Sequence, residues 1–192
     1  MDTLNTIRKV FEESIAAKKT FLSGGENLKR IAEAAKMIAG RISNGGKVIV
    51  FGNGGSAADS QHMAAELMVR FEKERRALPC IALNTNTSVI TAAANDYDFV
   101  RVFSRQIEAL GTCEDIAVAI STSGNSPNVL EGVRTAKAAG MPVIALAGRN
   151  GGELARIADI SIVVDNENTA RVQEVHILLI HILCKLIESE FC

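Results

Sequence analysis

Residues 47–66, KVIVFGNGGSAADSQHMAAE, narrow the folds open to this chain more than any other stretch. Positions 47–51 form a short β-branched and aromatic run closed by glycine, the pattern of a buried strand. Gly52-Asn53-Gly54-Gly55 cannot extend that strand, because so many residues without a Cβ favour a tight turn. Ser56 then falls where an N-cap belongs, and 57–69 has the Ala, Met, Leu and Glu content of a helix. A glycine loop entering a helix N-terminus offers free N–H groups and a positive dipole end to an anion, commonly a phosphate. His62 and Glu66 follow at i and i+4, on one face of that helix. A phosphate cradle with an imidazole and a carboxylate on its helix predicts an enzyme site.

Gly52, Gly54 and Ala57 also satisfy the permissive dinucleotide fingerprint. That fingerprint requires an acid at the end of the next strand to hold the ribose. Here the next strand, around 80–83, runs into Asn84-Thr85-Asn86, which has no carboxylate. The lysine and hydroxyl residue of a nucleoside-triphosphate loop are missing as well. Phosphate binding without a nucleotide is the better reading.

Helical spacing of Leu4, Ile7, Phe11 and Ile15 predicts a first helix over 3–22, and Ser23-Gly24-Gly25 ends it. A second helix carries Leu28, Ile31, Ala35 and Ile38 and stops at 43–46. After the central helix come strands at 79–83, 115–120, 142–146 and 160–164. A short helical turn is expected at 88–94, with a break and cap over Asn95-Asp96-Tyr97-Asp98. Further helices are expected at 99–110, 127–139, 152–156 and 168–188. Such alternation implies a five-stranded parallel sheet covered on both faces, an α/β three-layer sandwich. One domain over 1–192 is predicted, with a helical N-terminal extension over 1–45 and the α/β core over 46–192.

Ligands of open parallel sheets bind at the carboxyl ends of the strands. The glycine loop, Ser121-Thr122-Ser123-Gly124-Asn125-Ser126 and the loop at 147–151 all fall there. A single hydroxyl would cap the helix that opens at Pro127, whereas this loop has four, which favours a phosphate-holding role. In the last helix, Gln173 and His181 project about 80° apart and are separated by roughly 12 Å of rise. That separation makes it demanding for one copy of the helix to deliver both to one centre. Packing terminal helices across a subunit interface would relieve it.

A net charge of −1 without a long basic run gives no support for a nucleic-acid surface. No apolar run is long enough to span a bilayer and no leader pattern opens the chain, so a soluble, cytoplasmic protein is expected. The four cysteines show no metal-type spacing, and Cys80 and Cys113 lie in or next to apolar runs, where small buried hydrophobes are usual.

Gly52-Asn53-Gly54-Gly55-Ser56, the serine loop and Arg171-Val172-Gln173-Glu174-Val175-His176 together resemble the sugar isomerase (SIS) domain family. The combination of His62, Glu66, Gln173 and His181 is similar to its phosphoheptose isomerase branch. That resemblance implies isomerisation of sedoheptulose 7-phosphate to D-glycero-D-manno-heptose 7-phosphate, towards the heptose of lipopolysaccharide core. It also implies a homotetramer with active sites at subunit interfaces, assembled through the N-terminal and C-terminal helices. One zinc ion per subunit would be held by His62, Glu66, Gln173 and His181. Substrate contacts would come from Asn53, Gly54, Gly55, Ser56, Glu66, Arg70, Asn95, Asp96, Ser121, Thr122, Ser123, Ser126 and Gln173. Arg171 matches the pattern too, but Ala170 stands where some members have aspartate. Glu66 and His181 are the expected catalytic pair, since a ketose–aldose conversion moves protons across the C1–C2 unit. The alternative is a non-catalytic SIS module that binds phosphosugars or assists assembly at replication initiation. Such relatives can lose the carboxylate or the final histidine, and this chain keeps both.

Overall fold

The computed structural model describes residues 2–192. Two helices, α1 (Thr3–Ser23) and α2 (Gly25–Ser43), precede β1 (Val48–Gly52) and α3 (Gly55–Met68). Then come β2 (Cys80–Ala82), α4 (Thr87–Asp96), a 3-10 turn (Phe99–Arg101) and α5 (Ser104–Leu110). The chain continues through β3 (Ile116–Ser121), α6 (Pro127–Ala138), β4 (Val143–Gly148), α7 (Gly152–Ile157), β5 (Ile160–Val164) and α8 (Thr169–Ser189). The five strands are all parallel and lie in the order β2-β1-β3-β4-β5.

Each strand divides its side chains between two cores because neighbouring Cβ atoms point to opposite faces. Val48, Val50, Ile116, Val118, Ile144 and Ile162 pack with α2, α3 and α8. Ile49, Phe51, Ala117, Ala119, Val143 and Ala145 pack with α4, α5, α6 and α7. The expected three-layer sandwich is therefore present. Within the N-terminal extension, α2 buries Ile31, Ala34, Ala35 and Ile38 against the sheet layer, whereas α1 buries only Ala17. Leu4, Ile7, Val10, Phe11 and Ile15 of α1 remain exposed.

The helix expected over 88–94 is longer, because the Asn86 side chain caps Val89 N–H and starts α4 at Thr87. Asn95 and Asp96 are its last turn rather than a break, which falls at Tyr97. Cys80 is buried as expected, but Cys113 is exposed, since it sits in the turn before β3 instead of in the strand.

Asp115 anchors that turn. Its carboxylate accepts Lys47 N–H (2.9 Å), Lys47 Nζ (2.6 Å), Thr112 N–H (2.8 Å) and the Thr112 hydroxyl (3.0 Å). Burial works to raise its pKa, but the hydrogen bonds from Lys47 and Thr112 outweigh burial and hold it below 3.8. A lowered carboxylate stabilises the fold above its unfolded value and loses that contribution as pH falls through its folded one. Asp115→Ala should cost about 2–3 kcal/mol at pH 7. Denaturant melts should show the gap from wild type closing as pH falls below about 4; a gap independent of pH would contradict the assignment.

Candidate active site

The strand order changes direction between β1 and β3, and open α/β sheets bind ligands at such a point, beyond the strand carboxyl ends. The glycine loop follows β1 and the serine loop follows β3. Gly54, with φ 57° and ψ −121°, takes the N-cap position of α3, a conformation that residues with a Cβ avoid. The helix thus begins two residues earlier than expected, and Ser56 is not its cap. Ser56 is 3% exposed, packed beneath the loop at Gly52, and its N–H donates to Asn53 O at 3.0 Å. Its expected part as an open phosphate-binding hydroxyl is therefore withdrawn. Ala57 and Ala58 N–H both donate to Gly54 O, and the N–H groups of Gly54 and Gly55 have no acceptor among the described residues. Those two donors sit at the positive end of the helix dipole.

Asn53 is held by a reciprocal amide pair with Asn128, at 2.7 and 2.9 Å. This pair ties the glycine loop to the start of α6, and the sequence reading passed over Asn128 because an asparagine in a first helical turn reads as local. On the serine side, Ser121 Oγ lies 3.4 Å from Ser123 Oγ and 3.1 Å from Ser126 Oγ. Ser126 occupies the N-cap position of α6 yet makes no side-chain cap bond. Its hydroxyl joins the cluster instead, which supports a ligand-binding cup over simple capping. Thr122 is half-buried beside the cluster and outside its hydroxyl contacts. Leu154 N–H donates to Gly124 O at 2.9 Å, and Glu153 N–H donates to Asn125 Oδ1 at 3.0 Å. The first turn of α7 thereby braces the serine loop.

α3 and α8 lie on the same face of the sheet and follow parallel strands, so they run parallel to each other. Gln173 reaches α3 at Gly55, where a Cβ would overlap its Nε2. Two turns on, His181 Nε2 lies 3.0 Å from His62 Nε2, and His62 Nε2 lies 3.1 Å from Glu66 Oε1. Gly55 to His62 rises roughly 10 Å and Gln173 to His181 roughly 12 Å, so the two helices stay in step. One chain brings both Glu66 and His181 to His62, so this pair needs no packing of terminal helices across an interface. Gln173 makes no hydrogen bond with those three among the described residues and lies against Gly55 of the glycine loop.

The ring of His181 stacks on Phe71, centroids 5.6 Å apart. Phe71 belongs to the loop after α3, whose shape is set by Glu188. That carboxylate, 1% exposed, accepts the N–H groups of Phe71, Glu72 and Lys73 at 2.9–3.0 Å. Arg75 ties the same loop to the Glu66 carbonyl at 2.7 Å. No sequence pattern marks the Glu188 bracing, since it lies more than a hundred residues from the loop it holds. Arg70 is exposed just past the end of α3 and has no ion pair among the described residues. Asn95 Nδ2 donates to Asp96 Oδ1 at 2.8 Å, and neither side chain has a hydrogen bond to the glycine or serine loop among the described residues. Arg171 binds Val10 O (2.9 Å) and Glu174 (2.6 Å), joining α8 to α1. His176 is fully buried, donates Nε2–H to Ala147 O at 3.2 Å and is pushed by burial down to about 4, which makes it a neutral structural group.

The His181 imidazole and the Glu66 carboxylate converge on His62 Nε2, and the three together are a donor set that suits zinc. The contacts run through His62 and do not close: among the described residues no group of three or more His, Cys, Asp or Glu forms a metal cluster. The short distances weigh more here, because two unprotonated ring nitrogens and a carboxylate at 3.0–3.1 Å repel unless a proton or cation lies among them. Buried Cys184, one turn beyond His181, is raised to about 12 by burial first and by Glu66 second, which keeps it a neutral thiol.

The SIS domain family model matches residues 11–148, which fixes the class. A phosphoheptose isomerase from Aquifex aeolicus is 49% identical over 98% of both chains. The solved phosphoheptose isomerase from Francisella tularensis is 42% identical, with a TM-score of 0.93 over 98% of this chain and 100% of that one. The one from Neisseria gonorrhoeae is 44% identical, with a TM-score of 0.90 over 97% of this chain and 98% of that one. The chain belongs to the phosphoheptose isomerase family of SIS-domain proteins.

Gly55→Ala tests the meeting of α3 and α8. The new methyl strikes the end of a flexible side chain, so it should displace the Gln173 amide and alter stability by only about 0.5 kcal/mol. Turnover should fall at least tenfold, by roughly 1.4 kcal/mol or more of barrier. Full activity in a folded variant would remove Gln173 from the site.

Proposed function

We propose that this protein is an aldose–ketose isomerase that converts sedoheptulose 7-phosphate to D-glycero-D-manno-heptose 7-phosphate, towards lipopolysaccharide core heptose. The observation that carries this reading is the convergence of His62, Glu66 and His181 on the helix that opens from the glycine loop. The phosphate is bound by the N–H groups of Gly54 and Gly55 and by the hydroxyls of Ser121, Ser123 and Ser126, with Asn53 and Thr122 shaping the cup. Arg70 adds positive charge on the approach.

At the carbon end, Glu66 takes the proton from C1 of the ketose while His181 gives one to O2, producing the enediol. Glu66 then returns its proton to C2 and His181 removes the proton from O1, leaving the aldehyde at C1. Protons and charges balance, and both groups end as they began. Glu66 Oε1 faces His62, and its second oxygen has no hydrogen bond among the described residues, so one carboxylate can hold position and still accept a proton. His62, Glu66, His181 and, after a shift of its amide, Gln173 would hold one zinc ion per subunit, which would polarise the substrate carbonyl.

The same reading includes a homotetramer with sites at subunit interfaces. The exposed apolar stripe of α1 supports it. A cytoplasmic location accompanies it; no helix among the described residues is long and apolar enough to cross a membrane.

Incubation of zinc-loaded protein with sedoheptulose 7-phosphate in D2O should give the aldose, with deuterium at C2 in proportion to the exchange of the Glu66-held proton with solvent before it is returned. Glu66→Gln should lower turnover about 10²–10⁴-fold with little change in KM. The triple change of Ser121, Ser123 and Ser126 to alanine should raise KM more than tenfold, a loss of over about 1.4 kcal/mol of binding. Absence of the aldose with folded, zinc-loaded protein overturns the proposal.

A further inference from the structure

One chemically able side chain of α3 belongs neither to the phosphate cup nor to the His62 cluster. Asp59 lies one turn after Gly55 and one turn before His62, so the three share a face of the helix. Its Oδ2 is buried and has no hydrogen-bond partner among the described residues. An unpaired buried carboxylate oxygen is costly, and native structures keep one where some group is meant to meet it. Burial moves the Asp59 carboxyl up to about 6, and the neighbouring His62 charge moves it back down.

His62 supplies the complementary vacancy. Its Nε2 faces Glu66 Oε1 and His181 Nε2, while its Nδ1 has no hydrogen bond among the described residues. A neutral imidazole carries a single proton, so the nitrogen that donates to one neighbour leaves the other with a lone pair. Glu66 and His181 both lie on the Nε2 side. A cation can be shared there only if the ring proton resides on Nδ1.

We propose that Asp59 is a positioning residue whose buried carboxylate accepts the Nδ1–H of His62, fixing the tautomer that aims the Nε2 lone pair at Glu66 and His181. The idea rests on the reading of that cluster as a cation-holding site. Carboxylates that orient metal-binding imidazoles in this way commonly change metal affinity 10–100-fold when removed. The competing partner for Asp59 is the Gln173 amide, which covers Gly55 one turn back along the same face.

The chain has three histidines, so a ¹⁵N-histidine spectrum of the zinc-free protein can be assigned with His→Gln variants at 176 and 181. His62 should be protonated on Nδ1 in the wild type. Asp59→Asn retains an acceptor oxygen and should keep that tautomer; Asp59→Ala should lose it. Zinc affinity, read by competition with a chromogenic chelator, should fall about 10–100-fold in Asp59→Ala and no more than a few-fold in Asp59→Asn. An identical His62 tautomer in wild type and Asp59→Ala overturns the proposal, whether Asp59 then serves Gln173 or water. Failure of the wild type to bind zinc sinks the cation reading of the cluster instead, and the zinc-free spectra still decide the link between Asp59 and His62.

Discussion

The parallel packing of α3 against α8 is the constraint on which the candidate site depends. Both helices return over one face of the sheet, and their apolar sides, including Met63, Ala64 and Leu67 on one and Val172, Val175, Leu179 and Leu183 on the other, lie in a single core. Burial of that many side chains, at about 1.5–3 kcal/mol each, holds the register far more firmly than any polar contact in the site could. With the register set, Gln173 must meet Gly55 and His181 must meet His62. A shift of one residue in α8 would turn every one of these side chains by about 100° and break both meetings. The polar contacts are thus consequences of the apolar ones.

The second half of the site is built by the sheet. β1 and β3 are hydrogen-bonded neighbours whose loops diverge at their carboxyl ends, and the Asn53–Asn128 pair bridges them. The serine hydroxyls bond one another, which keeps three donors together at modest cost. An anion entering the cup exchanges those mutual bonds for stronger charge-assisted ones. Bracing from Glu188 and Arg75 performs the corresponding task for the imidazole end, since the loop they shape lays Phe71 on His181.

Strands, their order of appearance and most helices were legible in the sequence, because glycine and serine punctuate apolar runs whose period changes from two to nearly four, although the single helix expected over 99–110 is a 3-10 turn followed by a separate α5. The phosphate loops were legible for the same reason, together with the pairing of His62 and Glu66 on one helical face. Local pattern misplaced the α3 cap, since nothing at Ser56 reveals that Gly54 adopts a positive φ and starts the helix itself. The meeting of each of Gln173 and His181 with α3 was not legible for a deeper reason. A rise of roughly 12 Å along one helix looks like an obstacle until a second helix is known to run beside it in step, and the register between helices is a tertiary fact. Asn128, Phe71 and Glu188 escaped notice on the same ground. Asp59 carried a weak signal, an acid in the second turn of a helix, which reads as dipole compensation until its oxygen is found buried and unpaired.

The central claim is that each chain assembles its own His62, Glu66 and His181. Subunit mixing tests it most directly: Glu66→Gln and His181→Gln proteins, each inactive, are dissociated together, reassembled, and checked for hybrids by native mass spectrometry. A site drawn from one chain always contains one of the two lesions, so the hybrids should be as inactive as their parents. Recovery of activity in verified hybrids would mean that Glu66 and His181 act from different chains, and would contradict the account.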